Sequence, residues 1–172
     1  MTTTGTDSLT WDNNGNLASL ESTGQTNPSL YQYDPDGNLL IQTDPAGKKT
    51  LYLPHQDVTY DPSTSSVSGT RYISLPGEAT CVRYGSGTSY SFQTSNYQGT
   101  SSLALDQTAQ TPTFRSFDAY GNPRGTQPTT WYGNKGFVGG TQDATTNLTN
   151  LGAREYDPTI GRFISADPYL VL

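Results

Sequence analysis

The stretch YDPDGNL, Tyr33–Leu39, decides how this chain folds. Tyr33 is an aromatic of the kind that ends a strand and stacks on a cross-strand neighbour. Asp34 puts a carboxylate where the amides of a following turn can donate to it. Pro35 presets φ at the second position of that turn. Gly37 supplies the positive φ that a side chain would oppose. Asn38 tolerates a turn or bulge, and Leu39 starts the returning strand. The seven residues read as a β-hairpin with a loop of roughly four or five residues.

The same heptad stands at Trp11–Leu17 (WDNNGNL, with Asp12 and Gly15), 22 residues upstream, and at Phe117–Pro123 (FDAYGNP, with Asp118 and Gly121). YDPTIGRF at Tyr156–Phe163 is a stretched relative, and TYDPSTSSVSGTRY at Thr59–Tyr72 a looser one. A unit that recurs in this way indicates architecture before chemistry. Asp12, Asp34, Asp118 and Asp157 hold one place in the repeat, which favours structural caps over paired carboxylates for acid–base work. DPDGN, Asp34–Asn38, spaces oxygen donors as calcium loops do but lacks the later Asp and the distal Glu, so a turn is expected and no metal site.

Between the copies, apolar and polar residues alternate, as in TRYISL, ATCVRY and SYSFQTS, and no segment repeats at helical spacing. The expected fold is all-β: a curved or spiralling antiparallel meander of roughly ten to fourteen short strands. Accumulated twist should make such a sheet curl into a partial or closed hollow barrel.

The composition narrows the function. The 172 residues suit one domain, or a segment of a larger one, and twelve Tyr and five Phe must supply much of the burial. A net charge of -6 with three Lys offers no basic stripe for nucleic acid. No apolar run approaches the roughly 20 residues that span a bilayer. Met1–Thr10 has no features of a signal peptide, and TTTGTDSLTWD reads like the middle of something longer. Cys81, alone in ATCVRY, is expected to be a buried, inert thiol. His55 is the single histidine and has no Gly-x-Ser-x-Gly elbow, so nucleophilic catalysis built on it is disfavoured. Zinc would have at most these two candidate ligands. No cofactor is expected. Asn147–Thr149 fits a glycosylation acceptor, which matters only in a eukaryotic secretory setting.

LGAREYDPTIGRFISADP, starting at Leu151, resembles the signature of the RHS/YD-repeat family, with Glu155 departing from the usual aromatic. The upstream heptads resemble that family's YD repeats. Asn96–Thr100 stands where a family segment usually reads Asp-His-x-Gly-Ser, so the usual His is absent. The overall style is similar to actinobacterial members. The resemblance implies a hollow shell wound from β-hairpins, as in Tc toxin C components and teneurins. In bacteria such shells are exported and commonly enclose a C-terminal toxin, and the signature segment seals the shell.

By that resemblance Arg154, Tyr156, Asp157, Gly161, Arg162 and Phe163 form the frame of the signature. In many members the segment also forms an aspartyl autoprotease. Asp167 matches its first aspartate, with Arg162 near the same site. Leu170 replaces the motif glycine, and a second motif would lie beyond Leu172. A dyad needs two carboxylates sharing a proton, so this chain by itself is expected to be inactive. The implied organisation is one continuous domain: a hairpin array over 1–150 and a closing segment over 151–172.

The expected function is a non-enzymatic scaffold that encloses a toxin or effector polypeptide in a secreted or cell-surface protein. The alternatives are an adhesive or carbohydrate-binding wall module using exposed tyrosines such as Tyr90 and Tyr97, and a remnant of the autoprotease. Open strand edges would favour a homo-oligomer.

Overall fold

The structure, a computed structural model, describes residues 2–4, 7–85 and 88–167. A single antiparallel sheet takes up the first two thirds of the chain. Its strands follow in sequence order: β1 (Thr2–Thr4), β2 (Asp7–Trp11), β3 (Leu17–Glu21), β4 (Ser29–Tyr33), β5 (Leu39–Thr43), β6 (Lys49–Leu53), β7 (Gln56–Asp61), β8 (Ser66–Ser74), β9 (Ala79–Gly85), β10 (Ser89–Ser95), β11 (Ser101–Asp106) and β12 (Pro112–Phe114). Each strand pairs with the next, and no pairing among the described residues joins β12 to β1. The meander is open, so of the two expected forms the partial one is present.

A second sheet holds β13 (Thr141–Gln142), β14 (Thr149–Asn150), β15 (Glu155–Asp157) and β16 (Arg162–Phe163). These short strands raise the described total above the ten to fourteen expected. Strands of two or three residues are too short to show alternation. Residue 150 ends β14, so the expected closing segment starts inside this second sheet.

The hairpins turn as the heptad requires. Trp11 pairs with Leu17 and Tyr33 with Leu39, leaving five-residue loops at 12–16 and 34–38. Phe117 bridges Pro123 around the same loop at 118–122. Two further copies lack a full heptad. Thr43 pairs with Lys49 around Asp44–Lys48, and Ser95 with Ser101 around Asn96–Thr100. Both keep the acceptor side chain at the first loop position and glycine at the fourth.

The chain from Arg115 onward returns across one face of the meander. Tyr132 stacks on Tyr84, with ring centroids 3.5 Å apart. Val138 donates its amide to Thr100 Oγ1, and Tyr31 donates its hydroxyl to Asp143 Oδ2 at 2.9 Å. Leu148 closes the main apolar cluster with Leu9, Leu17, Leu20 and Tyr31, flanked by Trp11, Tyr33, Leu39 and Ile164. The core therefore joins the N-terminal strands to the C-terminal sheet.

Two glycines at one turn position separate backbone strain from crowding. Gly37 and Gly121 both have positive φ, at 83° and 92°. A Cβ on Gly37 meets nothing within 4 Å, whereas one on Gly121 would lie 2.7 Å from the Phe137 ring. Gly37→Ala should cost about 1 kcal/mol from the left-handed backbone alone. Gly121→Ala should cost about 1–3 kcal/mol more from overpacking. Urea denaturation followed by circular dichroism checks both.

Candidate functional site: a polar seam between the sheets

The turn modules are built alike. Asp12 Oδ1 accepts the amides of Asn14 and Asn16, and its Oδ2 accepts Asn16 Nδ2. Asp34 does the same with Asp36 and Asn38, and Asp118 with Tyr120 and Asn122. Two backbone bonds complete each module, such as Asp34 N to Asn38 O and Gly37 N to Asp34 O. Asn96 substitutes for the aspartate and receives Gln98 N and Thr100 N on Oδ1. The bond from the Asn38 side chain, then the turn amides, hold Asp34 below its ordinary value, and Asn122 acts likewise on Asp118.

Held by these turns, the covered face of the meander changes character along the sheet. At β2–β4 it is apolar, with Leu9 opposite Leu20. From β5 to β10 it carries buried Gln42, Asp57, Ser91 and Gln93. The cross-strand register puts Gln42 beside Tyr31, and Ser91 beside Val82. Tyr52 donates to Gln42, and Gln93 donates to the Tyr132 carbonyl at 2.6 Å. Buried polar groups persist only when such partners exist.

The return segment brings charge to this seam. Arg115 donates Nε–H to the Ser101 carbonyl at 2.8 Å and a guanidinium N–H to the Lys135 carbonyl, with its plane 4.0 Å from the Trp131 ring. Burial lowers its pKa to about 10. Lys135 Nζ donates to Thr141 Oγ1 at 2.6 Å, and burial lowers its pKa against the opposing pull of Asp57. Asp57 accepts the Tyr72 hydroxyl at 3.1 Å, and burial raises its pKa despite Lys135. Glu155 is 3% exposed and accepts Asn150 Nδ2 at 2.7 Å. Burial, aided by the neighbouring Asp143 charge, pushes it from 4.5 to about 7. A cavity of about 430 Å³ between the sheets is lined by Asp34, Tyr52, Asp57, Lys135, Thr141 and Asn150, among others. The seam holds cation, carboxylate and amide groups around one cavity.

The signature residues are brought together at its outer end. Tyr156 donates its hydroxyl to the Tyr120 carbonyl and packs edge-on against Phe163 at 5.6 Å. Asp157 accepts Thr159 N, and Gly161 takes a positive φ in the turn to Arg162. Arg154 covers the Phe163 ring at 3.8 Å and pairs with Asp167 at 3.3 Å. Arg162 lies on β16 and is exposed. The cavity beside Asp167 is lined by Trp11, Asn14, Gly15, Ile164, Ser165 and Ala166, so Asp167 is its single carboxylate among the described residues.

Other residues lie apart from this cluster. His55 sits in the two-residue turn between β6 and β7 at φ 61°, on the rim of a 320 Å³ cavity that Lys135 also lines. Cys81 is half-buried rather than buried, because it lies on the uncovered face between Ile73 and Phe92. Tyr90 is half-buried against Phe92, whereas Tyr97 is 92% exposed in its turn. Sequence reasoning missed Arg115, Lys135, Asp57 and Asp143. Glu155 alone had a signal, as the departure from the family aromatic.

These shifts set the pH profile of stability. The turn aspartates have depressed values, so their contribution is present above about 3.8 and lost as pH falls through their folded values. Glu155 has a raised value, so its contribution is full below 4.5 and lost as pH rises through about 7. That loss is on the order of 3 kcal/mol for the buried group. Unfolding free energy should therefore peak in mild acid and decline towards neutral pH. Urea titrations at about pH 3, 5.5 and 8 test this.

Comparisons with known proteins agree with this geometry. Residues 11–49 match the RHS Repeat model. The chain is 30% identical over 173 residues to the tRNA nuclease WapA of Bacillus subtilis (strain 168), covering 97% of this chain and 7% of that protein. It is 28% identical, with the same coverage, to the tRNA3(Ser)-specific nuclease WapA of Bacillus spizizenii. The chain thus spans 7% of the length of these curated relatives. Its fold superposes on the crystal structure of TcdB2-TccC3-TEV with a TM-score of 0.76 at 21% identity, over 95% of this chain and 9% of that one. Residues 11–49 are thus an RHS repeat, and the recurring Asp–Gly–Asn turn extends the same hairpin pattern along an all-β meander.

Proposed function

We propose that the chain is a non-enzymatic wall segment of an RHS-repeat shell, in a secreted or cell-surface protein that encloses a toxin or other effector polypeptide. The observation that carries this reading is the open meander itself: twelve strands paired in sequence order, with the face that carries Cys81 and Phe92 left uncovered by the return segment. Among the described residues the outer ladders of β1 and β12 pair with no further strand, and they can take strands of a longer chain or of a second copy. The nuclease activity named for the WapA relatives is assigned in this reading to other parts of those proteins. At -6 this chain lacks the cationic surface that tRNA demands. Asp167 serves here as the ion-pair partner of Arg154, not as half of a protease dyad.

The test is protease protection in the native gene product. The enclosed effector segment should resist trypsin in the intact protein and be digested at least about tenfold faster once residues 7–114 are deleted, the shift expected when an open state becomes the resting state. Equal digestion rates would refute enclosure.

A further inference from the structure

Four side chains form a row across the second sheet. Lys135 bridges Thr141, Thr141 pairs with Asn150, and Asn150 pairs with Glu155. Residues directly opposite across antiparallel strands point to the same face. The row therefore reads amine, hydroxyl, carboxamide, carboxyl. Hydrogen bonds join it in two halves: Lys135 Nζ to Thr141 Oγ1 at 2.6 Å, and Asn150 Nδ2 to Glu155 Oε1 at 2.7 Å. Lys135, Thr141 and Asn150 line one cavity, which gives the lysine room to move past the threonine. Strands lie about 4.8 Å apart, so two gaps separate Lys135 from Asn150. The amine already reaches the hydroxyl on the intervening strand, and Asn150 is the next residue of the row beyond that hydroxyl.

We propose that the Lys135 amine and the Asn150 carboxamide condense to an intramolecular isopeptide bond, with Glu155 as the proton-transferring acid. Burial favours the neutral, nucleophilic amine at Lys135 and the protonated acid at Glu155, although Asp57 faces the lysine and opposes its shift. Asp143 faces Glu155 and reinforces its protonation. The lone pair of Lys135 Nζ attacks Asn150 Cγ, and the carbonyl electrons move onto Oδ1. The Glu155 proton passes to Nδ2, the Cγ–Nδ2 bond breaks as the carbonyl reforms, and ammonia leaves. The Glu155 carboxylate then takes the surplus proton from Nζ. One C–N bond forms for one broken, the acid is regenerated, and no oxidant or cofactor enters. Thr141 is the positioning residue, and the folded sheet supplies the proximity on which such a reaction depends. The bond would tie the segment at Lys135 covalently to β14 across β13, whether or not the chain serves as a shell wall.

Mass spectrometry of the purified 172-residue chain, after incubation at neutral pH and denaturation, decides the matter. The expected mass is that of the sequence less one ammonia. Trypsin should fail to cut after Lys135, leaving residues 125–154 as one looped peptide whose fragments locate the link at Lys135 and Asn150. The deficit should vanish completely in Lys135→Arg, Asn150→Ala and Glu155→Gln, and a circular dichroism spectrum shows whether each variant folds. The wild-type chain at full sequence mass, cut by trypsin after Lys135, overturns the proposal whatever the variants do. So does a deficit that survives in Lys135→Arg, since that marks a cyclised asparagine alone.

Discussion

Everything in this protein hangs on one local interaction, the aspartate carboxylate that gathers the amides of its own five-residue turn. A hairpin loop exposes several backbone donors that no strand can satisfy. One carboxylate takes two of them and a side-chain amide besides, while glycine at the fourth loop position absorbs the reversed φ. The turn is thereby a self-contained part. Repeated, it converts a sequence with modest apolar content into a long meander without relying on a thick core at each step.

Turns alone leave both faces of the sheet open. The return of the chain over one face answers that problem unevenly. At β2–β4, Leu148 completes an apolar cluster, and burial of leucine and tyrosine surface does the work. Farther along, the cover meets polar groups, and the fold satisfies them by direct pairing: Gln93 with the Tyr132 carbonyl, Tyr72 with Asp57 and Asn134, Arg115 with two carbonyls and an indole face. Such networks add little net stability per bond but penalise any alternative arrangement strongly. They specify how the return segment sits.

The same burial creates the chemistry of the seam. Lysine and glutamate held away from water drift towards their neutral forms, and in an antiparallel ladder they fall into line with an asparagine between them. The dense C-terminal signature works differently. There, Tyr156, Phe163 and Arg154 stack as a wedge, and Asp167 finishes a charge pair at its rim.

The turns were legible in the sequence, and with them the all-β class and the hairpin order, because each turn's carboxylate or carboxamide takes its amides from within the same heptad. Asp12, Gly37 and Asn122 needed no distant neighbour to be read. The turns at Asp44 and Asn96 were less legible, since one lacks the flanking aromatic and the other replaces the aspartate, though both keep the hydrogen-bond pattern. Only the packed chain shows which face is covered, that the described meander stays open, and that Lys135 faces Asp57 while Glu155 faces Asp143. Such pairings reach far along the chain, 112 positions between Tyr31 and Asp143. No local period records them, because they depend on where the return segment crosses the sheet and on the desolvation it imposes there.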